Sequence, residues 1–223
     1  ERFGYYLMIG IFTLYLKDVE AGFSMTEKEA SDLYGTFIAL VFLTPFIGGL
    51  IADRYLGYKK SIIIGGLMMG VGYLIMGVHS IPMLYTAMTL VIVGNGFFKP
   101  NISSMVGSLY PPQEKTKLDS AFTIFYMGIN IGALLSQYFV PLIADVKVNG
   151  VRVPTVFKWG YLMAGLAMVL GTVIFYFLKD KYVIAPDGSA IGAKPNKNFE
   201  SGEVVEHAKF SGSSIGIVTG LFF

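Results

Sequence analysis

Long apolar runs separated by short polar connectors are the feature that most constrains how this chain folds. Each run approaches the roughly 20 residues that an α-helix needs to cross the ~30 Å hydrocarbon core of a bilayer. Only 14% of the residues are charged, against about a quarter in a soluble domain. The sequence therefore predicts an all-α membrane protein. The predicted spans are Glu1–Leu16, Ala30–Ala52, Ser61–Val78, Met83–Met105, Ser120–Ile143 and Trp159–Leu178.

The spans divide the chain into three predicted parts. Residues 1–180 form a six-helix bundle, residues 181–211 form a polar linker, and residues 212–223 begin a seventh span. The first run ends near Leu16 and is short for a span. We therefore expect it to start upstream of Glu1, so that the chain is an internal piece of a longer protein.

The connectors carry two further kinds of information, the pattern of one connector and the charges of the others. Val146–Val153 alternates apolar and polar residues around Asn149-Gly150, which predicts a hairpin with a two-residue turn outside the membrane. The second kind of information is charge, because Lys and Arg are commoner in cytoplasmic connectors. That rule places on the cytoplasmic side the connectors that contain Arg54, Lys59, Lys60, Lys115, Lys117, Lys179 and Lys181.

Ionisable residues within the spans are the strongest functional signal. A charge inside the membrane is costly unless it is paired or hydrated, and it usually marks a pathway. Glu1 and Arg2 open the first span, and Lys99 lies deep in the fourth. On a helix, Glu1 shares a face with Tyr5, and Arg2 shares one with Tyr6.

Two further polar stripes follow helical spacing. The fourth span carries Asn95, Lys99 and Ser103 at intervals of four residues. The fifth span carries Thr123, Asn130 and Gln137 at intervals of seven. Such stripes either join helices through hydrogen bonds or line an aqueous cavity. Both interpretations stay open for Asn130 and Gln137, and a purely structural ion pair stays open for Glu1 and Arg2.

The positions of these charges fit an internal repeat. Many transporters are built from inverted triplets of helices, with the site at the interface between the triplets. Spans one to three and four to six would be the triplets here. Glu1 and Arg2 would then lie on the first helix of one triplet, and Lys99 on the first helix of the other.

The stretches GGLIADRYLGYKK, ERFGYY, GNGFFKPN and FYMGINIGALL together resemble a known family, the proton-dependent oligopeptide transporters of the major facilitator superfamily. GGLIADRYLGYKK, which contains Gly49, Asp53, Arg54 and Gly57, is similar to the loop between spans two and three of the major facilitator superfamily. ERFGYY at Glu1–Tyr6 resembles the end of the ExxERFxYY motif of the oligopeptide transporters. GNGFFKPN at Gly94–Asn101 and FYMGINIGALL at Phe125–Leu135 resemble two further stretches of that family.

The resemblance implies a fold and an activity. The fold is a major facilitator-type six-helix bundle, one half of a transporter of twelve or more helices, and the activity is uptake of di- and tripeptides driven by protons. It implies that Glu1, Arg2 and Lys99 belong to the proton-coupling network. It also implies that Tyr5, Tyr6, Lys99, Asn101 and Asn130 contribute to the peptide site, and that Asp53, Arg54, Gly49 and Gly57 form a structural or gating loop.

Three positions depart from the family pattern. Ile9 stands where many members carry an arginine that holds the peptide carboxylate, and Phe42 replaces a common tyrosine. Gly35 stands where mammalian members place a histidine. These departures leave the substrate preference open, and the candidate replacements for the missing arginine are Lys99 and a residue in the half of the transporter that lies outside this chain.

We therefore predict a proton-coupled symporter of di- and tripeptides in the plasma membrane, as in a bacterial inner membrane. The alternative is a relative that carries another small anion or a peptide-like metabolite. An enzyme is disfavoured, because the chain has no cysteine and its two histidines, His79 and His207, lie in connectors. A channel or assembly subunit is also disfavoured. We expect no metal and no cofactor, with the proton as the coupling ion. A net charge of +2 gives no reason to expect a nucleic-acid partner. The sequence predicts no particular oligomeric state.

Overall fold

A computed structural model describes residues 1–111, 113–144, 146–153, 155–184 and 191–192. Within these ranges the chain forms six α-helices and one two-stranded antiparallel ribbon. The six predicted spans are thereby confirmed as helices. The helices are α1 (Arg2–Lys17), α2 (Glu27–Ile51), α3 (Tyr58–Met76), α4 (Ile81–Gly107), α5 (Lys115–Ala144) and α6 (Val156–Tyr182), and the strands are β1 (Lys147–Val148) and β2 (Val151–Arg152).

Five helices of the described part are long and apolar enough to cross a membrane: α2, α3, α4, α5 and α6. Helix α1 has 16 residues and falls short of the length that a span needs. Helix α6 continues two residues past the predicted end of the bundle at residue 180. The predicted linker 181–211 lies mostly outside the described residues, and the predicted seventh span 212–223 lies wholly outside them.

The two ends of α2 are fixed by different local signals. At its start, the Thr26 hydroxyl accepts a hydrogen bond from the Glu29 backbone N–H, and Glu29 accepts one from the Thr26 backbone N–H in return, which is a capping box. At its end, the prediction that Asp53–Lys60 forms a connector between helices is wrong. Residues Ala52–Leu56 instead continue α2 as a π-helical turn, closed by a 2.8 Å hydrogen bond from the Gly57 N–H to the Ala52 carbonyl.

The predicted hairpin is confirmed in its position and turn. Lys147 pairs with Arg152, and Val148 pairs with Val151. Asn149 and Gly150 have φ angles of 55° and 82°. Positive φ at both central residues is the requirement of the type I′ turn, which Asn-Gly meets better than most residue pairs.

The packing of the helices has the symmetry of an inverted repeat. Helix α1 packs against α5 and α6, while α4 packs against α2 and α3. Exchanging the first three helices for the second three converts one set of contacts into the other, and α3 and α6 contact each other. The arrangement places α1 and α4 in equivalent positions, as the predicted repeat requires.

Glycines allow α3 to approach α4 and α6 closely. A Cβ atom at Gly65 would lie 2.5 Å from the Gly94 carbonyl oxygen, and one at Gly94 would lie 2.7 Å from the Gly65 carbonyl oxygen. A Cβ atom at Gly66 would lie 2.3 Å from Thr172 Oγ1 of α6. Small residues at helix crossings are the usual means of close packing in membranes. These contacts hold the two halves of the repeat together around α3.

Helix α1 lies in the apolar interior of the bundle. Leu7, Met8, Ile11 and Phe12 have no exposed surface, because α1 packs against α5, α6 and α2. A helix buried on most sides is fixed in rotation as well as in position. The rotation of α1 therefore determines where the side chains of its first turn point.

Candidate functional site

The first turn of α1 holds an ion pair that is largely withdrawn from solvent. Arg2 Nε lies 3.0 Å from Glu1 Oε2, and the exposed fractions of the two side chains are 17% and 10%. Gly132 of α5 makes this position possible, because a Cβ atom there would lie 3.2 Å from Arg2 Cβ. The pair thus lies at the contact between α1 and α5.

Two tyrosines adjoin the ion pair on α1. The Arg2 guanidinium carbon lies 5.8 Å from the centre of the Tyr5 ring, within the range of a cation–π contact. Tyr5 is buried, Tyr6 is half-buried, and their rings meet edge to face at 5.7 Å. Of the two predicted peptide-binding tyrosines, Tyr6 is therefore the more accessible in this structure.

Lys99 of α4 joins the charges of α1 electrostatically. Its ammonium interacts repulsively with Arg2 and attractively with Glu1. Among the described residues, no carboxylate lies within 4.0 Å of it. The ammonium instead lies 4.7 Å from the centre of the Phe42 ring of α2. Glu1, Arg2 and Lys99 thus form a charge cluster that is defined by electrostatic interaction and, for Lys99, not by contact, and in it the positive charges outnumber the negative one.

Two buried oxygens near this cluster make no hydrogen bond within the described part of the chain. They are Glu1 Oε1 and the hydroxyl of Tyr73 on α3. Tyr73 is fully buried and interacts electrostatically with Glu1 and Arg2. Buried polar atoms are rarely left unpaired in folded proteins, and such groups often have a functional explanation. Glu1 Oε1 therefore keeps an acceptor position that no described residue occupies.

Two grooves open along α5. The first has a volume of about 510 Å³ and lies between α1, α4 and α5, with Glu1 and Arg2 in its wall. The second, also of about 510 Å³, runs along α5 itself and is lined by Thr123, Asn130 and four apolar side chains. Ile131 lines both grooves, so the two lie side by side.

The three asparagines that the sequence analysis names on α4 and α5 have different environments. Asn130 is exposed and makes no hydrogen bond with the described residues, whereas Asn101 is 1% exposed and donates to the Phe97 carbonyl of its own helix at 2.7 Å. Asn95 is equally buried and donates to the Val41 carbonyl of α2 at 2.9 Å. Asn95 therefore joins two helices, while Asn130 faces outward from this bundle.

The predicted loop residues lie at the far end of α2. Asp53 and Arg54 are exposed on the π-helical turn, away from the charge cluster. Gly57 has φ 75°, a left-handed conformation that favours glycine, and it separates the turn from α3. A Cβ atom at Gly49 would meet Pro100 at an ordinary 3.6 Å.

Sequence reasoning missed several residues that shape the site. The close approach of α2 to α4 is made at Gly48, where a Cβ atom would lie 2.1 Å from the Gly96 carbonyl oxygen. Phe42 was noted only as a departure from a family pattern, and Tyr73 and Gly132 were not noted at all. A signal existed for the glycines, because both lie in apolar helices where small residues mark crossings.

Comparison with protein families identifies this arrangement. The model of the POT family, PTR2, matches residues 59–202. A dipeptide and tripeptide permease B of Photorhabdus luminescens is 35% identical over 182 residues, covering 81% of this chain and 35% of the relative. The permease of the same name from Shigella dysenteriae is 40% identical over 147 residues, covering 65% of this chain and 29% of the relative. The chain thus spans about a third of the length of these relatives.

Solved structures agree with the family match. A POT family transporter in complex with 5-aminolevulinic acid superposes with a TM-score of 0.78 and 28% identity, covering 99% of this chain and 42% of the other. A peptide transporter POT, as an E310Q mutant with alafosfalin, gives a TM-score of 0.73 and 30% identity at the same coverage. The bundle therefore has the fold of one half of a major facilitator-type transporter. The family consists of transporters and not of enzymes, and the chain is a multi-pass protein of the plasma membrane that belongs to the POT family.

Proposed function

We propose that the protein is a symporter that imports di- and tripeptides together with protons by alternating access. The single observation that carries this proposal is the cluster of Glu1, Arg2 and Lys99 on the two equivalent helices α1 and α4. Relatives named dipeptide and tripeptide permease support the substrate class. A bacterial inner membrane is the location that fits such a permease.

The proposed coupling begins with the proton on Glu1. Ionised Glu1 pairs with Arg2 and attracts Lys99, and this pairing offsets the desolvation of all three charges. A proton on Glu1 removes the only negative charge of the cluster. The excess positive charge then favours a ligand that carries a carboxylate, so the proton and the peptide each strengthen the binding of the other.

The peptide site would lie beside this cluster. Tyr6, Lys99 and Asn130 are the predicted binding residues with accessible surface on this bundle. Asn101 would have to turn away from the Phe97 carbonyl to reach a ligand. Rocking of one helix bundle against a second would expose the site to each side of the membrane in turn.

Replacing Glu1 tests the coupling directly. Glu1→Gln keeps the shape of the side chain and removes its proton exchange. We expect proteoliposomes that contain the complete transporter to lose proton-driven accumulation of a labelled dipeptide but to keep exchange of dipeptide across the membrane. Glu27→Gln is the matched control, because Glu27 is exposed at the start of α2 and pairs only with Lys17 among the described residues. Accumulation by Glu1→Gln at the wild-type level would exclude Glu1 as the coupling group.

A second candidate is transport of a peptide-like metabolite or another small anion. Ile9 favours it, because the arginine of many family members is absent from that position. A related transporter of known structure binds 5-aminolevulinic acid, which has one carboxylate and one amine. Competition of such compounds with a labelled dipeptide in proteoliposomes separates the two candidates, since the true substrate displaces the other at lower concentration.

A further inference from the structure

We infer that Phe42 is a positioning residue that keeps the Lys99 ammonium charged and directed toward the carboxylate of the substrate. The inference rests on the proposed function and adds a specificity element to it. Phe42 lies on α2, and its ring centre is 4.7 Å from Lys99 Nζ. Phe42 is 63% exposed, so its ring lies at the surface of this bundle and not in its core.

The Lys99 ammonium has an aromatic ring as its close partner instead of a carboxylate. The lysine is half-buried, and within the described residues no carboxylate lies within 4.0 Å of it. The electron-rich face of an aromatic ring attracts an ammonium at distances below about 6 Å. Phe42 therefore stabilises the charged lysine without adding a negative charge to the cluster.

The contact with Phe42 leaves hydrogen-bond donors of Lys99 available. An ammonium has three N–H donors, and a ring face engages one side of it. A carboxylate partner in the same position would occupy the ammonium and compete with a substrate carboxylate. Because the ring holds one side only, the remaining donors stay free for a ligand. An aromatic partner thus suits a lysine that has to bind and release an anion in every cycle.

Close packing of α2 against α4 makes this contact possible. A Cβ atom at Gly48 would lie 2.1 Å from the Gly96 carbonyl oxygen, and one at Gly96 would lie 2.9 Å from Thr44 Cβ. Thr44 of α2 donates to the Ile92 carbonyl of α4 at 2.9 Å, and Asn95 of α4 donates to the Val41 carbonyl of α2 at 2.9 Å. On α2 both bonds lie within one turn of Phe42, and on α4 they lie one and two turns before Lys99. They fix the rotation of both helices, so the ring and the ammonium face each other as a built feature.

A series of fluorinated phenylalanines at position 42 tests the inference. Each added fluorine weakens the negative face of the ring and leaves its shape nearly unchanged. We measure the affinity of the complete transporter for alanyl-alanine and for alanyl-alanine amide, which lacks the carboxylate. The affinity for alanyl-alanine should fall stepwise, to about one tenth with the pentafluorinated ring, which corresponds to about 1.4 kcal/mol. The affinity for the amide should change by less than about twofold, because it places no charge against Lys99.

Two controls isolate the ring-to-ammonium contact. The same series at Phe46, which is 71% exposed one turn further along α2, should have no effect on either ligand. Phe42→Tyr, which keeps an aromatic face, should retain the wild-type affinity. In the Lys99→Met background, fluorination at Phe42 should lose its effect, because the cation is absent.

The outcomes separate this inference from the proposed function. If the wild-type protein binds no dipeptide, the proposed function fails and the inference fails with it. If the protein binds alanyl-alanine with the same affinity whatever the ring at position 42, only the inference fails. An equal loss for the acid and the amide would also overturn it, since that result describes a general packing role.

Discussion

Lys179 is buried and Lys99 is half-buried in this bundle, and their surroundings are opposite. Lys179, in the last turn of α6, has a side chain that is 1% exposed, and its ammonium lies 3.0 Å from Asp180 Oδ1. Asp180 also binds Lys59 of α3, so a carboxylate links two helices. Lys99 has Phe42 as its close partner and only a more distant attraction to Glu1. One lysine is neutralised by a carboxylate and the other is not.

The difference separates structural charges from charges that are free to change partners. A desolvated ion with a carboxylate in contact is stable in one state, and it ties together the segments that supply the two groups. A desolvated cation with an excess of positive charge near it is stabilised when an anion binds, and its surroundings change when a neighbouring carboxylate gains a proton. The Lys179 region therefore belongs to the framework of the bundle, and the Lys99 region has the properties expected of a binding site.

Removing Lys99 should give the largest effect on transport. In Lys99→Met we expect dipeptide uptake to fall about 100-fold, because a carboxylate of the substrate loses its charged partner. The melting temperature should stay the same or rise, since the fold loses an ammonium that had no carboxylate in contact. Uptake into proteoliposomes and thermal unfolding in detergent measure the two quantities.

Lys179→Met is the matched control for this variant. It removes a lysine that is at least as deeply buried, at the end of another helix. Uptake should remain near the wild-type level. A Lys99→Met protein that unfolds at a much lower temperature would show that Lys99 supports the fold, and the contrast between the two lysines would be lost.

Removing the carboxylate of the Lys179–Asp180 pair should have the second largest effect, and that effect is on stability. Asp180→Asn leaves the buried ammonium of Lys179 without its negative partner and breaks the link to Lys59 of α3. We expect the melting temperature to fall by a few degrees while proton-driven uptake per folded molecule stays unchanged. Lys179→Met should cost less than Asp180→Asn, because Asp180 is half exposed and keeps Lys59. The reverse order of the two melting temperatures would contradict this account.

The sequence predicted the helices and the hairpin for simple physical reasons. A long apolar run has to satisfy its backbone hydrogen bonds within itself, so each span becomes a helix. Asn149-Gly150 between alternating residues admits few turns other than the one observed. The turn after α2 was harder, because Asp53 and Arg54 mark a loop by polarity. Only the backbone shows that the helix continues there as a π-helical turn, whose hydrogen bonds join residues five apart.

The surroundings of the polar residues were not predictable from spacing alone. Asn95 and Asn130 are both asparagines in apolar helices, yet one joins α4 to α2 and the other is exposed. The contact of Phe42 with Lys99 likewise depends on the rotation of α2 relative to α4. That rotation depends on the crossing of the two helices at Gly48 and Gly96. The spacing of residues along one helix does not show where it crosses another. The charges were recognised from the sequence, and their partners required the fold.

The asparagines offer the finest test of the contrast between framework and site, with the smallest expected effect. Asn95 lies one helical turn from Lys99 on α4, so proximity alone would place it in the site. Because its amide donates to the Val41 carbonyl of α2, we expect Asn95→Leu to destabilise the protein by about 0.6 kcal/mol, the average for such bonds in membranes. Asn130→Leu should leave the melting temperature unchanged and lower the affinity for dipeptide. If Asn95→Leu weakened dipeptide binding without lowering the melting temperature, Asn95 would belong with Lys99, and the boundary between framework and site would have to move across α4 toward α2.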